Sequence, residues 1–244
     1  MIKLNRKAPP AFLTTEEKDR LTSLFKTSGT DVWNDNRIRE ALLALSHKKC
    51  VYCECELSTE SKYMEVDHFR YKEKYQDEVL EWDNLLPSCK RCNTTKGTHD
   101  VVPEPIVNPF LDLPKQHFEF FLYQLRPKTS VGETTETALN LNHHDRAVLL
   151  RFKVGEAVQL AVKEACEKLD LFNQNGTSLR KNKLIARVEG LLSQCQPEEA
   201  YAATAATVLH TSKQYQDLKR SMQSLGLWSP ELTRLDSAAA NICF

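Results

Sequence analysis

The sequence predicts an α+β fold in which a small metal-clipped core lies between helical segments. Three observations predict it. Two C-x-x-C pairs, Cys50/Cys53 and Cys89/Cys92, stand with 35 residues between them. The block they enclose lacks helical periodicity until its last residues. Before residue 49 and after about residue 134, apolar residues recur at helical spacing. The expected organisation is an N-terminal helical segment over 1–48, a core over 49–100, an extended connection and hairpin over 101–133, and a helical region over 134–244.

Bulk properties set limits on function. A chain of 244 residues that is 41% hydrophobic can bury a core of one or two domains. Lys and Arg number 33 against 33 Asp and Glu, which excludes a uniformly basic nucleic-acid coat but allows a local phosphate-binding patch. No run has the apolar length of a signal peptide or a membrane span, so the expectation is a soluble cytoplasmic chain that makes no membrane contact. In that reducing compartment, eight cysteines are first of all candidate metal ligands.

The elements follow in order. Thr14 and Glu17 form a capping-box pattern ahead of Leu21, Leu24 and Phe25 at helical spacing. Ile38, Ala41, Leu42 and Leu45 make one apolar stripe of a second helix, which runs into "CVYCEC". "PSCKRCNTTKG" predicts a short helix closed by Gly97, and "DVVPEPIVNPFLDLP" an extended surface connection. "HFEFFLYQL" reads as a strand and half of a hairpin. Three helical stretches follow. The first is capped at Asn142 or Asp145, and the last has Pro197 at its first position and Gly226 just past its end.

Two C-x-x-C pairs supply four thiolates, enough to close a tetrahedral zinc site with no position left for substrate. Cys89 and Cys92 lie three apart on the expected helix, so both sulfurs can face one ion. Cys55 could stand in for Cys53; the matched spacing favours Cys53. Cys166, Cys195 and Cys243 read as small core hydrophobes. A structural zinc gives no reason for Asp67 and His68, a titratable pair inside "MEVDHFRYK" in the segment that the zinc would close.

"VDHFRYK", followed by "WDNLLPSCKRCNTTKG", resembles the HNH endonuclease family over about residues 50–97. "KAPPAFL", "VWNDNRIREALLAL", "CVYCE" and "TALNLNHHDR" extend the likeness to the HNH nuclease subunits of Septu-type antiphage systems, a group that also accompanies some retrons. The resemblance implies a ββα-metal core with a flanking zinc knuckle. It makes His68 the general base, Asp67 a metal-binding acid, Asn84 the central Asn, and Asn93 the occupant of the place where the final His usually stands. The motif then reads H-N-N, and an all-oxygen donor set of Asp67 and Asn93 favours Mg²⁺ or Mn²⁺.

These assignments suit phosphodiester hydrolysis, and the resemblance implies products with 5′-phosphate and 3′-hydroxyl ends. His68 has the right basicity to take a proton from water near neutral pH. Arg70, Lys72, Arg91 and Lys96 are candidates for contacting the nucleic-acid backbone. DNA is the first expectation for the substrate, with RNA left open, and the resemblance further implies an ATPase partner subunit and a role in antiphage defence. A second reading is a zinc-knuckle module that binds nucleic acid or acts as a scaffold without cutting. The Asp67–His68–Asn93 set separates the two, since a clip has no use for it. Balanced charge predicts weak binding of DNA by the isolated chain.

Overall fold

The computed structural model describes residues 1–58 and 63–244. Helix α1 (Thr15–Ser28) begins where the Thr14 side chain accepts the N–H of Glu17, and it stops at Gly29 in the left-handed region. Asp35 caps α2 (Asn36–Leu45), which buries Ile38, Leu42 and Leu45. Strand β1 (Met64–His68) pairs antiparallel with β2 (Leu85–Cys89), Met64 opposite Cys89 and His68 opposite Leu85. Helix α3 (Lys90–Lys96) follows β2 without a break and ends at Gly97, with φ +49°. This is the ββα arrangement, and α2 and α3 both pack on its strands.

A single turn, α4 (Pro114–His117), leads to a hairpin of β3 (Phe118–Phe121) and β4 (Gln124–Pro127). Its connecting residues, Leu122 and Tyr123, both have positive φ, at 47° and 64°. A two-residue hairpin turn of the matching twist requires this, and here it is adopted without glycine. Helix α5 (Ser130–Leu139) comes next. A π-helical turn over His144–Val148 opens into α6 (Leu149–Gln174), then α7 (Ser178–Ser193), α8 (Ala202–Thr211), α9 (Lys213–Ser224) and α10 (Pro230–Asn241).

The chain divides into two compact units, one of residues 1–119 and 125–142, the other of residues 120–124 and 143–244. In the second, α6 packs against α7, α8 and α9 around Val158, Val162, Leu184, Val188 and Leu209. Gly155 in α6 lies against the Tyr123 ring, and a Cβ there would approach the ring to 2.3 Å.

The α+β class and its helical flanks match the sequence expectation. Helix α5 packs on α3, Thr135 accepts the Val107 N–H at 2.8 Å, and α5 falls in the first compact unit. Two details differ. Asn142 does not cap α6; its amide binds both backbone groups of Leu125 at 2.9 Å. The last predicted helix is two, since Ser212 accepts the Tyr215 N–H and starts α9, while α8 begins at Ala202, beyond Pro197. Among the described residues, no helix is long and apolar enough to cross a membrane.

Candidate active site

Adjacent strand residues point to opposite sides of a sheet, and the last two residues of β1 use this. On one side, Asp67 is buried and both its oxygens are engaged: Tyr52 donates its hydroxyl to Oδ2 at 2.6 Å, and Lys96 Nζ lies 3.0 Å from Oδ1. Burial, and then the Asp67 charge, push the Tyr52 phenol well above its ordinary range, so it remains a donor. On the other side, the His68 ring meets the edge of Trp33 at 4.7 Å between centroids.

His68 Nε2 lies 3.0 Å from the Val79 carbonyl oxygen. A carbonyl only accepts, so Nε2 carries the proton and Nδ1 keeps its lone pair. Burial lowers the imidazole to about 4, against the opposing pull of the Val79 carbonyl and of Asp67. His68 is therefore neutral near pH 7 and able to accept a proton.

Asn84 holds the loop that orients His68. Its Oδ1 accepts the Arg70 N–H at 2.7 Å, and its Nδ2 donates to the carbonyls of Arg70 and Glu78, each at 3.1 Å. Glu78 precedes Val79, the residue whose carbonyl fixes the His68 ring. Asn93, on α3, comes to the same place as Asp67 and His68: all three line a cavity of about 330 Å³, together with Asp31, Trp33 and Lys72. A carboxylate and an amide supply hard oxygen donors, which fit a small divalent cation.

The sulfurs of Cys50, Cys53, Cys89 and Cys92 lie within 4.8 Å of one another and could hold a metal ion. Four thiolates about 2.3 Å from a tetrahedral zinc would stand roughly 3.8 Å apart, and Cys53 and Cys89 are separated by 3.7 Å. Hydrogen bonds from Cys50 hold the Cys53 and Cys89 thiols well below the usual thiol range. Cys55 is outside the group; its carbonyl accepts the Cys50 N–H at 2.9 Å and so closes the knuckle turn. Cys89 caps α3 and Cys92 lies on it, so an ion held by the four sulfurs would anchor the helix that carries Asn93.

The four cations singled out as backbone contacts are placed differently. Lys72 lines the cavity, 5.3 Å above the Trp33 ring and 2.9 Å from Glu73. Arg70 is exposed and pairs with Glu78 at 2.9 Å. Arg91 lies beside the knuckle, 3.4 Å from Cys92 Sγ; burial alone would lower its pKa, but the sulfur charges outweigh that and raise it. Lys96 departs from expectation. Its side chain is fully buried and directed to Asp67 and the His68 carbonyl, so it presents no ammonium at the surface.

The HNH endonuclease family model matches residues 50–99, the segment that carries this geometry. Over 241 residues the chain is 43% identical to the Septu protein PtuB of Bacillus thuringiensis, covering 98% of this chain and 93% of the relative. This chain belongs to the PtuB family of HNH endonucleases. A second PtuB, from Bacillus mycoides (strain KBAB4), is 28% identical over 162 residues, 49% of this chain and 55% of that one.

Two site residues of this PtuB-family nuclease escaped the sequence reading. Tyr52, inside the first C-x-x-C pair, carried a usable signal, since a large residue between two metal ligands has its backbone held on both sides. Trp33 carried none, because only the fold brings it to His68.

Proposed function

We propose that this PtuB-family nuclease is a metal-dependent endonuclease that hydrolyses phosphodiester bonds, chiefly of DNA, as the effector subunit of a cytoplasmic antiphage complex with an ATPase. The observation that carries the proposal is the His68 ring: its Nε2 is held by Val79 and its Nδ1 is free to accept a proton, beside Asp67 and Asn93 in one cavity. Water loses a proton to Nδ1, its oxygen bonds to phosphorus, and the bond from phosphorus to the 3′ oxygen breaks. The leaving oxygen takes a proton from solvent, giving 5′-phosphate and 3′-hydroxyl ends.

Asp67 and Asn93 are the residues that would hold Mg²⁺ or Mn²⁺. When bound, such an ion neutralises charge on the phosphate and on the leaving oxygen. Asn84 is a positioning residue, acting on His68 through the 70–79 loop. The four-cysteine knuckle holds structural zinc and keeps α3 against the strands. Residues 49–100 form the nuclease core in this reading, and the helices of the second unit offer a docking face for the ATPase. Lys72, Arg70 and Arg91 are the basic side chains proposed to meet nucleic acid. The names of the relatives, Septu protein PtuB, support the defence role.

The test is cleavage of plasmid DNA with Mg²⁺ and the proposed ATPase subunit present, comparing wild type with His68→Ala. Loss of cleavage in a folded His68→Ala protein is expected. A folded wild type that binds DNA or RNA and never cuts either would instead favour the zinc-knuckle binding module.

A further inference from the structure

Lys96 is the feature of the site that the proposed chemistry leaves unexplained. Its ammonium is fully buried, 3.0 Å from Asp67 Oδ1 and 2.6 Å from the His68 carbonyl oxygen. An ammonium is put in such a place only with a charge partner, and Asp67 is that partner. Lys96 lies one helical turn beyond Asn93 on α3. One helix therefore delivers both an oxygen donor for a divalent ion and a fixed positive charge to the same carboxylate.

We propose that Lys96 is the resident counter-ion of Asp67 and competes there with the divalent ion, so that it sets how tightly the site takes that ion. The inference rests on Asp67 being a metal ligand. Two cations on one buried carboxylate repel each other more strongly than they would in water. Without the divalent ion, the ammonium spares Asp67 from being a buried unpaired charge, and the site stays formed. With the ion, the carboxylate gains a stronger partner and the ammonium loses its hold on Oδ1. Lys96 is thus a positioning residue whose effect falls on ion affinity and on the stability of the ion-free protein.

The test titrates the full-length protein, with its zinc retained, with Mn²⁺ in the absence of nucleic acid, by calorimetry and by the electron paramagnetic resonance signal of free Mn²⁺. Lys96→Met is expected to bind Mn²⁺ about tenfold more tightly than wild type. It is also expected to melt at a lower temperature without Mn²⁺ and to recover as Mn²⁺ is added. A Lys96→Met protein that folds only with Mn²⁺ present supports the same conclusion. Equal or weaker Mn²⁺ binding by Lys96→Met, while Asp67→Asn abolishes binding, overturns the counter-ion role and leaves Asp67 a ligand. Mn²⁺ binding that Asp67→Asn does not weaken overturns the ligand assignment and this proposal together. Lys96→Met that stays unfolded in millimolar Mn²⁺ also overturns the proposal, because the ion should replace the ammonium.

Discussion

Asp67 in the first unit and Asp236 in the second are held by the same set of side chains. Each is buried, accepts a tyrosine hydroxyl on one oxygen and pairs with a lysine through the other: Tyr52 at 2.6 Å and Lys96 at 3.0 Å, against Tyr215 at 2.5 Å and Lys219 at 2.6 Å. Each even has a histidine nearby, since His210 Nε2 lies 3.7 Å from Asp236. What differs is placement. Asp67 and His68 are consecutive on a strand, beside a helix that carries two of the four clustered cysteines, and they share a cavity with Asn93. Asp236, Tyr215 and Lys219 belong to α10 and α9, and Lys219 reaches the surface across the Trp228 ring, its side chain 32% exposed against 0% for Lys96. A Tyr–Asp–Lys trio is therefore a strut in one unit and part of a candidate site in the other. The inventory of groups does not separate them; the backbone that carries them does.

The largest expected effect separates the two units. Cys92→Ser removes a ligand from the four-sulfur group, and structural zinc contributes on the order of 10 kcal/mol to the folding of small metal-clipped domains. Zinc content should fall, and amide protection should be lost over β1, β2 and α3 but kept over α6 to α10. Loss of protection in both would mean that the two units fold as one. The next effect separates the two aspartates. Asp67→Asn should lower the rate of nucleic-acid cleavage by more than about a hundredfold. Asp236→Asn should leave the rate per folded molecule unchanged and lower the melting temperature, because it weakens the pair to Lys219. Equal losses of cleavage would erase the distinction drawn between strut and site.

A pH dependence reports on the buried histidines. Burial lowers His68 to about 4, whereas an unfolded chain takes up that proton near 6.5. The stabilising contribution is complete above about pH 6.5 and is lost as pH falls toward 4, because the unfolded state binds the proton first. The loss amounts to about 3 kcal/mol, read as the shift in urea midpoint followed by tryptophan fluorescence without added Mg²⁺ or Mn²⁺. His68→Gln should flatten this dependence. His210 is also lowered, by burial and against the pull of Asp236, so His210→Gln should change the slope in the same direction. No change on His68→Gln would mean that the ring is not held neutral.

Much of this was legible in the sequence, for reasons that are local. A C-x-x-C pair places two ligands by short-range geometry alone, and Cys89 and Cys92 do meet Cys50 and Cys53. The same holds for the cap at Thr14 and the stop at Gly97. What stayed hidden depends on register and packing between distant segments. Lys96 reads as an exposed helix lysine until β1 is laid beside α3, and nothing near residue 33 announces a ring against His68. The break at Ser212 was missed because the apolar stripes of α8 and α9 run on across it, and only a side chain turned back onto the Tyr215 N–H starts the new helix. The partner of α5 is equally invisible, because α5 is as helical as α6 and only the fold brings it onto α3.

The smallest effect puts the sharpest question to the paired trios. Tyr52→Phe and Tyr215→Phe each remove one hydroxyl from a buried carboxylate and change little else. A hydrogen bond to a charged group contributes about 1.5–3 kcal/mol, so both variants should be destabilised by a similar amount in the absence of Mg²⁺ or Mn²⁺. The carboxylates then have different prospects. Asp67 lines a cavity with a second oxygen donor, so an ion entering there replaces the missing partner, and Mn²⁺ should restore most of the stability of Tyr52→Phe. Asp236 is enclosed by the helices of its own unit, and Mn²⁺ should not rescue Tyr215→Phe. If Mn²⁺ rescues neither variant, Asp67 is a strut like Asp236, and the cavity beside it is not where the ion binds.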